Sequence, residues 1–172
     1  MSRADRARAA LAAIAVAAAP SFPMRPALSA APLTIAVADF DYADSSGEVK
    51  DQRADHKAHV ALFVELVRAS FEAHGDYRVL SIDCPQPPCT PVNMHPDDFL
   101  AAARRSGARF VVYGGIHKMS TLVQWGDVEL LDLDADKLLL RRTVTFRGDN
   151  DEAYRRAAAF VGETVRDAMT KR

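Results

Sequence analysis

Polar and aromatic side chains gather most densely at His117, Lys118, Ser120, Thr121, Gln124 and Trp125, just after the glycine pair Gly114-Gly115. A tryptophan beside hydrogen-bonding groups suits recognition, and adjacent glycines let a ligand or another backbone come close. The plainer alternative is a Trp125 that fills the core under a helix, with the glycines marking a bulge. A second group, Asp39, Asp41, Asp44, Ser46 and Glu48, follows an apolar run, and α/β sheets commonly place ligands at the carboxyl ends of their strands. Its oxygens are of the type that holds calcium, but the spacing is not that of an EF-hand, so a solvated, hydrogen-bonded loop is expected. A third group, Asp55, His56 and His59, offers two imidazoles three residues apart and a carboxylate. That set lacks a third fixed ligand or an H-E-x-x-H frame, so exposed polar residues at a helix start are expected rather than a zinc or iron site.

None of these groups amounts to a catalytic signature. There is no G-x-S-x-G elbow, no G-x-x-x-x-G-K-[ST] loop and no G-x-G-x-x-G turn, so serine hydrolase, nucleotide and dinucleotide readings lack support. An enzyme would need an acid and base such as Asp39 and His117 within hydrogen-bond reach. No catalytic residue, cofactor or resident metal is assigned. The binding candidates are Asp39, Asp41, His117, Lys118, Gln124 and Trp125; in a carrier of a small molecule or metal, the first acidic loop and the 117–125 segment would be two walls of one cleft.

The chain's two cysteines, Cys84 and Cys89, enclose three prolines. The gap is not the C-x-x-C of a redox enzyme, and prolines forbid the helix that would lower a thiol's pKa. A structural disulfide is expected, stabilising by about 2 kcal/mol through loop closure.

The elements that must position these residues follow from periodicity. Residues 33–40 read as a buried strand ending in an acidic loop, and 51–74 as an amphipathic helix with Val60, Phe63, Val64, Val67 and Phe71 on one face. Residues 77–82 form a second strand. Pro96 opens a helix to Arg105, with acids at its positive dipole end. Residues 109–116 are a third strand, 120–133 and 138–147 a hairpin, and a final helix capped near 149–151 carries Tyr154, Ala158, Val161, Val165 and Met169. The order βαβαβββα implies an α/β domain with a mixed sheet and helices packed over it.

Arg3, Arg6 and Arg8 precede the apolar run 9–19, and small residues follow at 27–31. Basic, apolar and small segments in that order read as a cleavable signal peptide over residues 1–30, with one domain over 31–172. The run is about half of the ~20 residues that span a bilayer, so no stable membrane anchor is expected after cleavage. An exported, oxidising, periplasmic setting agrees with the cysteine pair. The 172 residues carry 22 Lys+Arg against 23 Asp+Glu and 49% hydrophobic residues, and the mature part is mildly acidic. That composition argues against disorder and against a nucleic-acid partner, which requires clustered cations.

The strand Ile35-Ala36-Val37-Ala38-Asp39-Phe40, the Gly107-to-Gly114 lead into the third strand and the meander around Val128-Glu129-Leu130-Leu131-Asp132 resemble the amino-terminal domain of periplasmic TolB. The sequences Asp39 to Glu48 and His117 to Trp125 are similar to those of a small family of uncharacterised secreted proteobacterial proteins, a domain of unknown function. Its members occur beside quinoprotein alcohol-oxidation and transporter genes. The resemblance implies a TolB-like scaffold and a noncatalytic envelope accessory or protein-interaction module with an envelope protein partner. A periplasmic small-molecule or metal carrier is the alternative. The first reading predicts an exposed patch around Trp125 or at a sheet edge.

Overall fold

The apolar run after Pro32 forms strand β1, Leu33–Asp44, and the amphipathic stretch after it forms helix α1, Arg53–Glu72. Strand β2 is only Tyr77–Leu80, and α2 spans Pro96–Arg105. Strands β3 (Phe110–Lys118), β4 (Val123–Asp132) and β5 (Lys137–Arg147) then form a meander, and α3 (Asp151–Thr170) closes the chain. This computed structural model describes residues 31–171, so the expected signal peptide lies outside the described residues.

The sheet order is β2-β1-β3-β4-β5, with β1 parallel to both neighbours and the remaining pairs antiparallel. From β1 the chain crosses to one side to make β2, then back past β1 to make β3. Right-handed crossovers in opposite directions put their helices on opposite faces. Accordingly α1 and α3 share one core with Ile35, Val37, Phe110, Val112, Val128 and Leu130. Helix α2 covers the other face with Phe99 and Ala103 against Ala36, Ala38, Val111 and Leu133. The expected βαβαβββα mixed sheet is the one found.

Two boundaries differ in ways that matter for function. β1 was expected to stop at Phe40 but runs to Asp44, held along its length by β3 to the pair Asp44 and Lys118. A bulge at Ala38-Asp39, two residues standing against Tyr113, shifts the register between Val37 and Phe40. The extra residue reverses the alternation that follows. Phe40 therefore joins Ile35 and Val37 in the α1 core, and Tyr42 packs against it, whereas Asp41 turns to the α2 side. β4 begins at Val123 rather than Ser120, because the Ser120 hydroxyl accepts the Leu122 and Val123 N–H groups and shapes a turn.

Asn150, extended in backbone, accepts the Ala153 N–H at 3.0 Å and caps α3. Asn150→Ala is expected to cost about 1 kcal/mol in urea unfolding, the usual worth of such a cap.

Candidate functional site

Strand alternation separates the segment that had looked like a single cluster. Lys118 shares the inward parity of Phe110, Val112 and Ile116, and Gln124 that of Val128 and Leu130, so both side chains enter the α1/α3 side and are fully buried. His117 and Trp125, paired across β3 and β4, lie on the opposite face with ring centroids 5.1 Å apart. The His117 Nε2 is engaged by the Ser45 hydroxyl at 2.8 Å. Trp125 is half-buried and belongs to neither core, so it does not fill a core under a helix. The acidic first loop and the 117–125 segment therefore do not form two walls of one cleft, because neighbouring strand residues must point to opposite faces.

Around Lys118 the chain builds a clamp. Its ammonium, with 1% of the side chain exposed, donates to Glu48 Oε2 at 2.5 Å, Gln52 Oε1 at 2.5 Å and Asp149 Oδ2 at 2.6 Å. Its three donors thus meet three oxygen acceptors, with the His56 Nε2 a fourth, longer neighbour at 3.3 Å, and such partners are what a buried ammonium requires. Burial opposes the charge on Lys118, but the bonds and charges of Asp149 and Glu48 outweigh it and hold the pKa above its ordinary value. Burial likewise pushes the Asp149 carboxyl up, and Lys118 and His56 together pull it below the usual carboxylate range. One lysine thus ties the loop after β1, the start of α1 and the loop before α3 to the end of β3.

The imidazoles of His56 and His59 belong to the same network. His56, buried, sits with Nε2 3.2 Å from Asp149 Oδ2, and His59 Nδ1 lies 3.4 Å from Asp149 Oδ1. Their rings contact Tyr42 and Tyr154, and the Tyr154 hydroxyl donates to Gln124 Oε1 at 2.6 Å. They are not the exposed helix-start groups that the sequence suggested, since the three-residue step puts both on the inward face of α1. Asp55 stays outside, exposed. Among the described residues no group of three or more His, Cys, Asp or Glu is arranged to hold a metal ion.

Asp39 and Asp41 lie elsewhere. Asp39 Oδ2 accepts the Cys89 N–H at 2.8 Å, and Asp41 Oδ1 accepts the Thr90 hydroxyl at 2.7 Å. The Cys84–Cys89 disulfide is formed, and these two carboxylates pin its loop against β1. Burial raises the Asp41 pKa, with the Thr90 bond working against it. Both residues line a cleft of about 740 Å³ that runs beside the far half of β1. Val60, Ala61 and Val64 of α1 form one wall, Pro87 and Pro88 of the disulfide loop another, and Phe40 and Tyr42 line it from β1. Lys50, Arg53 and Lys57 stand along the α1 side and the end.

Sequence reasoning missed Gln52, Asp149 and Tyr154 as members of the polar network, and saw Glu48 only as part of an acidic loop. One signal was available: Lys118 and Gln124 occupy inward positions of apolar strands, and such positions demand buried partners. Which partners could not be read, because Glu48 and Asp149 are brought in by two separate loops.

Residues 33–164 match the model of family DUF3280, described as "Protein of unknown function (DUF2380)", and the chain belongs to that family. No curated protein matches it in sequence. Its fold is similar to that of TolB from Acinetobacter baumannii, at 17% identity and a TM-score of 0.52 over 83% of this chain. The match covers 29% of the TolB chain, so this chain corresponds to under a third of that protein. It is also similar to the hypothetical protein CT253 from Chlamydia trachomatis, at 11% identity and a TM-score of 0.55, over 81% of this chain and 99% of the other. The TolB-like scaffold expected from the strand patterns is therefore present. Among the described residues, no helix is long and apolar enough to cross a membrane.

Proposed function

We propose that this DUF3280 chain is a noncatalytic accessory module of the cell envelope that binds a protein partner through the cleft beside β1. The observation that carries this reading is the open strand edge in that cleft: β2 pairs with β1 only as far as Ala36, and β1 continues to Asp44. The ionisable candidates support it by being occupied with one another. Lys118, Glu48, Asp149 and His56 close the end of the sheet, Asp39 and Asp41 hold the disulfide loop, and His117 is engaged by Ser45. The basic, apolar and small segments of residues 1–30 and the oxidised cysteine pair support export to the periplasm. Service to a transporter or a quinoprotein oxidation system is the finer form of the proposal.

A carrier of a small molecule is the second reading, favoured by the apolar walls and the size of the cleft, which fall within the range of ligand pockets. Native mass spectrometry of the protein taken from its own envelope separates the two. A processed, oxidised chain accompanied by a second polypeptide is the expected result. A stoichiometric small molecule or metal on the isolated chain would overturn the module reading.

A further inference from the structure

The end of the sheet that the Lys118 clamp closes is also where apolar side chains meet water. Among the described residues, three of the six large apolar side chains that stand exposed lie there: Val49 on the loop after β1, and Met119 and Leu122 on the turn from β3 to β4. Hydrogen bonds bring these segments to one place. The Ser45 N–H reaches the Lys118 carbonyl, the Glu48 carboxylate holds the Lys118 ammonium, and the Gly148 N–H reaches the Leu122 carbonyl. Met119 is 55% exposed, Leu122 67% and Val49 fully, and none of the three packs against either core. Single exposed apolar residues are ordinary, but a group of them at one tip marks a contact surface.

The backbone of the turn says what the contact is. The Met119 and Ser120 N–H groups bond to the Val123 carbonyl, the Leu122 and Val123 N–H groups to the Ser120 hydroxyl, and the Leu122 carbonyl accepts the Gly148 N–H. The turn satisfies these groups itself, as entry into a bilayer requires, and offers no row of free donors and acceptors to a pairing strand. Trp125, the chain's only tryptophan, stands two residues after the start of β4, about 7 Å along the strand, and is half-buried. An indole at that distance behind apolar tips falls at the headgroup level of a bilayer, where tryptophan collects. The clamp ties both loops to the end of β3, so their side chains have little freedom left to lose on contact. Lys50 and Asp51, exposed beside Val49, keep the insertion shallow.

We infer that the β3–β4 turn, with Val49 beside it, inserts Met119 and Leu122 into the surface of a phospholipid bilayer. The contact is apolar and reversible, and it does not depend on what the cleft beside β1 holds. Three side chains bury less apolar surface than a myristoyl chain, whose association constant is about 10⁴ M⁻¹, so half-saturation is expected on the order of 1 mM lipid.

The test mixes the processed, oxidised protein with phosphatidylcholine vesicles whose acyl chains carry bromine near the headgroup. Trp125 fluorescence is expected to be quenched, and bromine near the chain ends should quench it less. Met119→Ser with Leu122→Ser should weaken binding at least about tenfold. Met119→Leu with Leu122→Met should bind like the parent chain. Both positions are exposed, so the variants are expected to fold normally, with an unchanged urea midpoint. Raising salt to about 0.5 M should change the affinity by less than about twofold, since an apolar contact is not screened.

The inference fails if lipid at about ten times the expected half-saturation leaves Trp125 unquenched, or if the serine variant binds as the parent chain does. Loss of binding at about 0.5 M salt would assign it to charge and overturn it as well. A benzophenone side chain in place of Leu122, activated in the intact envelope, is expected to label lipid. A discrete adduct with another polypeptide or with a second copy of this chain would give the turn to a protein contact and overturn the inference.

Discussion

Lys118→Met is expected to destabilise the protein by about 3 kcal/mol, the low end of the 3–5 kcal/mol that breaking a buried ion pair costs. Methionine keeps the length of the side chain and fills much of its volume, so the loss reports charge rather than a cavity. It leaves Glu48 and Asp149, with 19% and 14% of their side chains exposed, without their cation. That residual access to water sets the estimate at the low end. Adding Glu48→Gln and Asp149→Asn removes the stranded charges and is expected to recover at least half of the loss. Urea unfolding of the single and triple variants measures both. A single-variant loss below about 1 kcal/mol would show that water already solvates the two carboxylates and that Lys118 is not the clamp.

The same cluster sets a pH dependence whose sign is determined. The Asp149 pKa is depressed in the folded protein, so its contribution is present above the unfolded value near 3.9 and is lost as pH falls through the folded value. The Lys118 pKa is raised, so its contribution is present below about 10.4 and is lost as pH rises through the folded value. The clamp is at full strength between about pH 5 and 10. Lys118→Met is therefore expected to flatten the acid limb of a plot of unfolding midpoint against pH, and an unchanged limb would contradict the assignment of Asp149.

The second large effect is expected at Gly114. A Cβ there would overlap the Asp127 carbonyl oxygen of β4 and come within 2.9 Å of the Phe40 ring. Backbone on one side and a buried ring on the other leave no room to yield, so β3 and β4 would have to part. Gly114→Ala is expected to cost about 3–5 kcal/mol, at or beyond the upper end of ordinary overpacking. Its neighbour is the control: a Cβ on Gly115 would meet only Asp41, nearest at 3.4 Å, and Gly115→Ala should cost under about 1 kcal/mol. Comparable losses at both positions in urea unfolding would contradict this account. The close approach that the glycine pair signals is thus made at Gly114 by the protein's own strand.

Much of the fold was legible because it depends on local periodicity. The three-and-four spacing of Phe63, Val64, Val67 and Phe71 determined a helix, the Pro96 and Gly107 punctuation bounded another, and the meander followed from two apolar strands around Asp134 to Lys137. The cysteine pair determined its own bond, being the only two cysteines and close together. Family membership was legible in two local sequences, Asp39 to Glu48 and His117 to Trp125, and the family match spans both.

The functional surface was not legible in that way. His117, Lys118, Gln124 and Trp125 are near one another in sequence, yet alternation distributes them to two faces, and only the neighbours on each face give them roles. The bulge at Ala38-Asp39 reverses every later side chain of β1, and nothing in the run from Leu33 to Phe40 announces it. The Lys118 clamp joins residues 48, 52, 56 and 149, and the cleft joins the disulfide loop to α1. The sequence by itself determined the order and kind of the strands and helices, though not the ends of β1 and β4, because hydrogen-bonding geometry repeats every few residues along the chain. Only the tertiary structure decided which charges are spent and which strand edge stays open, because both depend on groups brought together from distant parts of the chain.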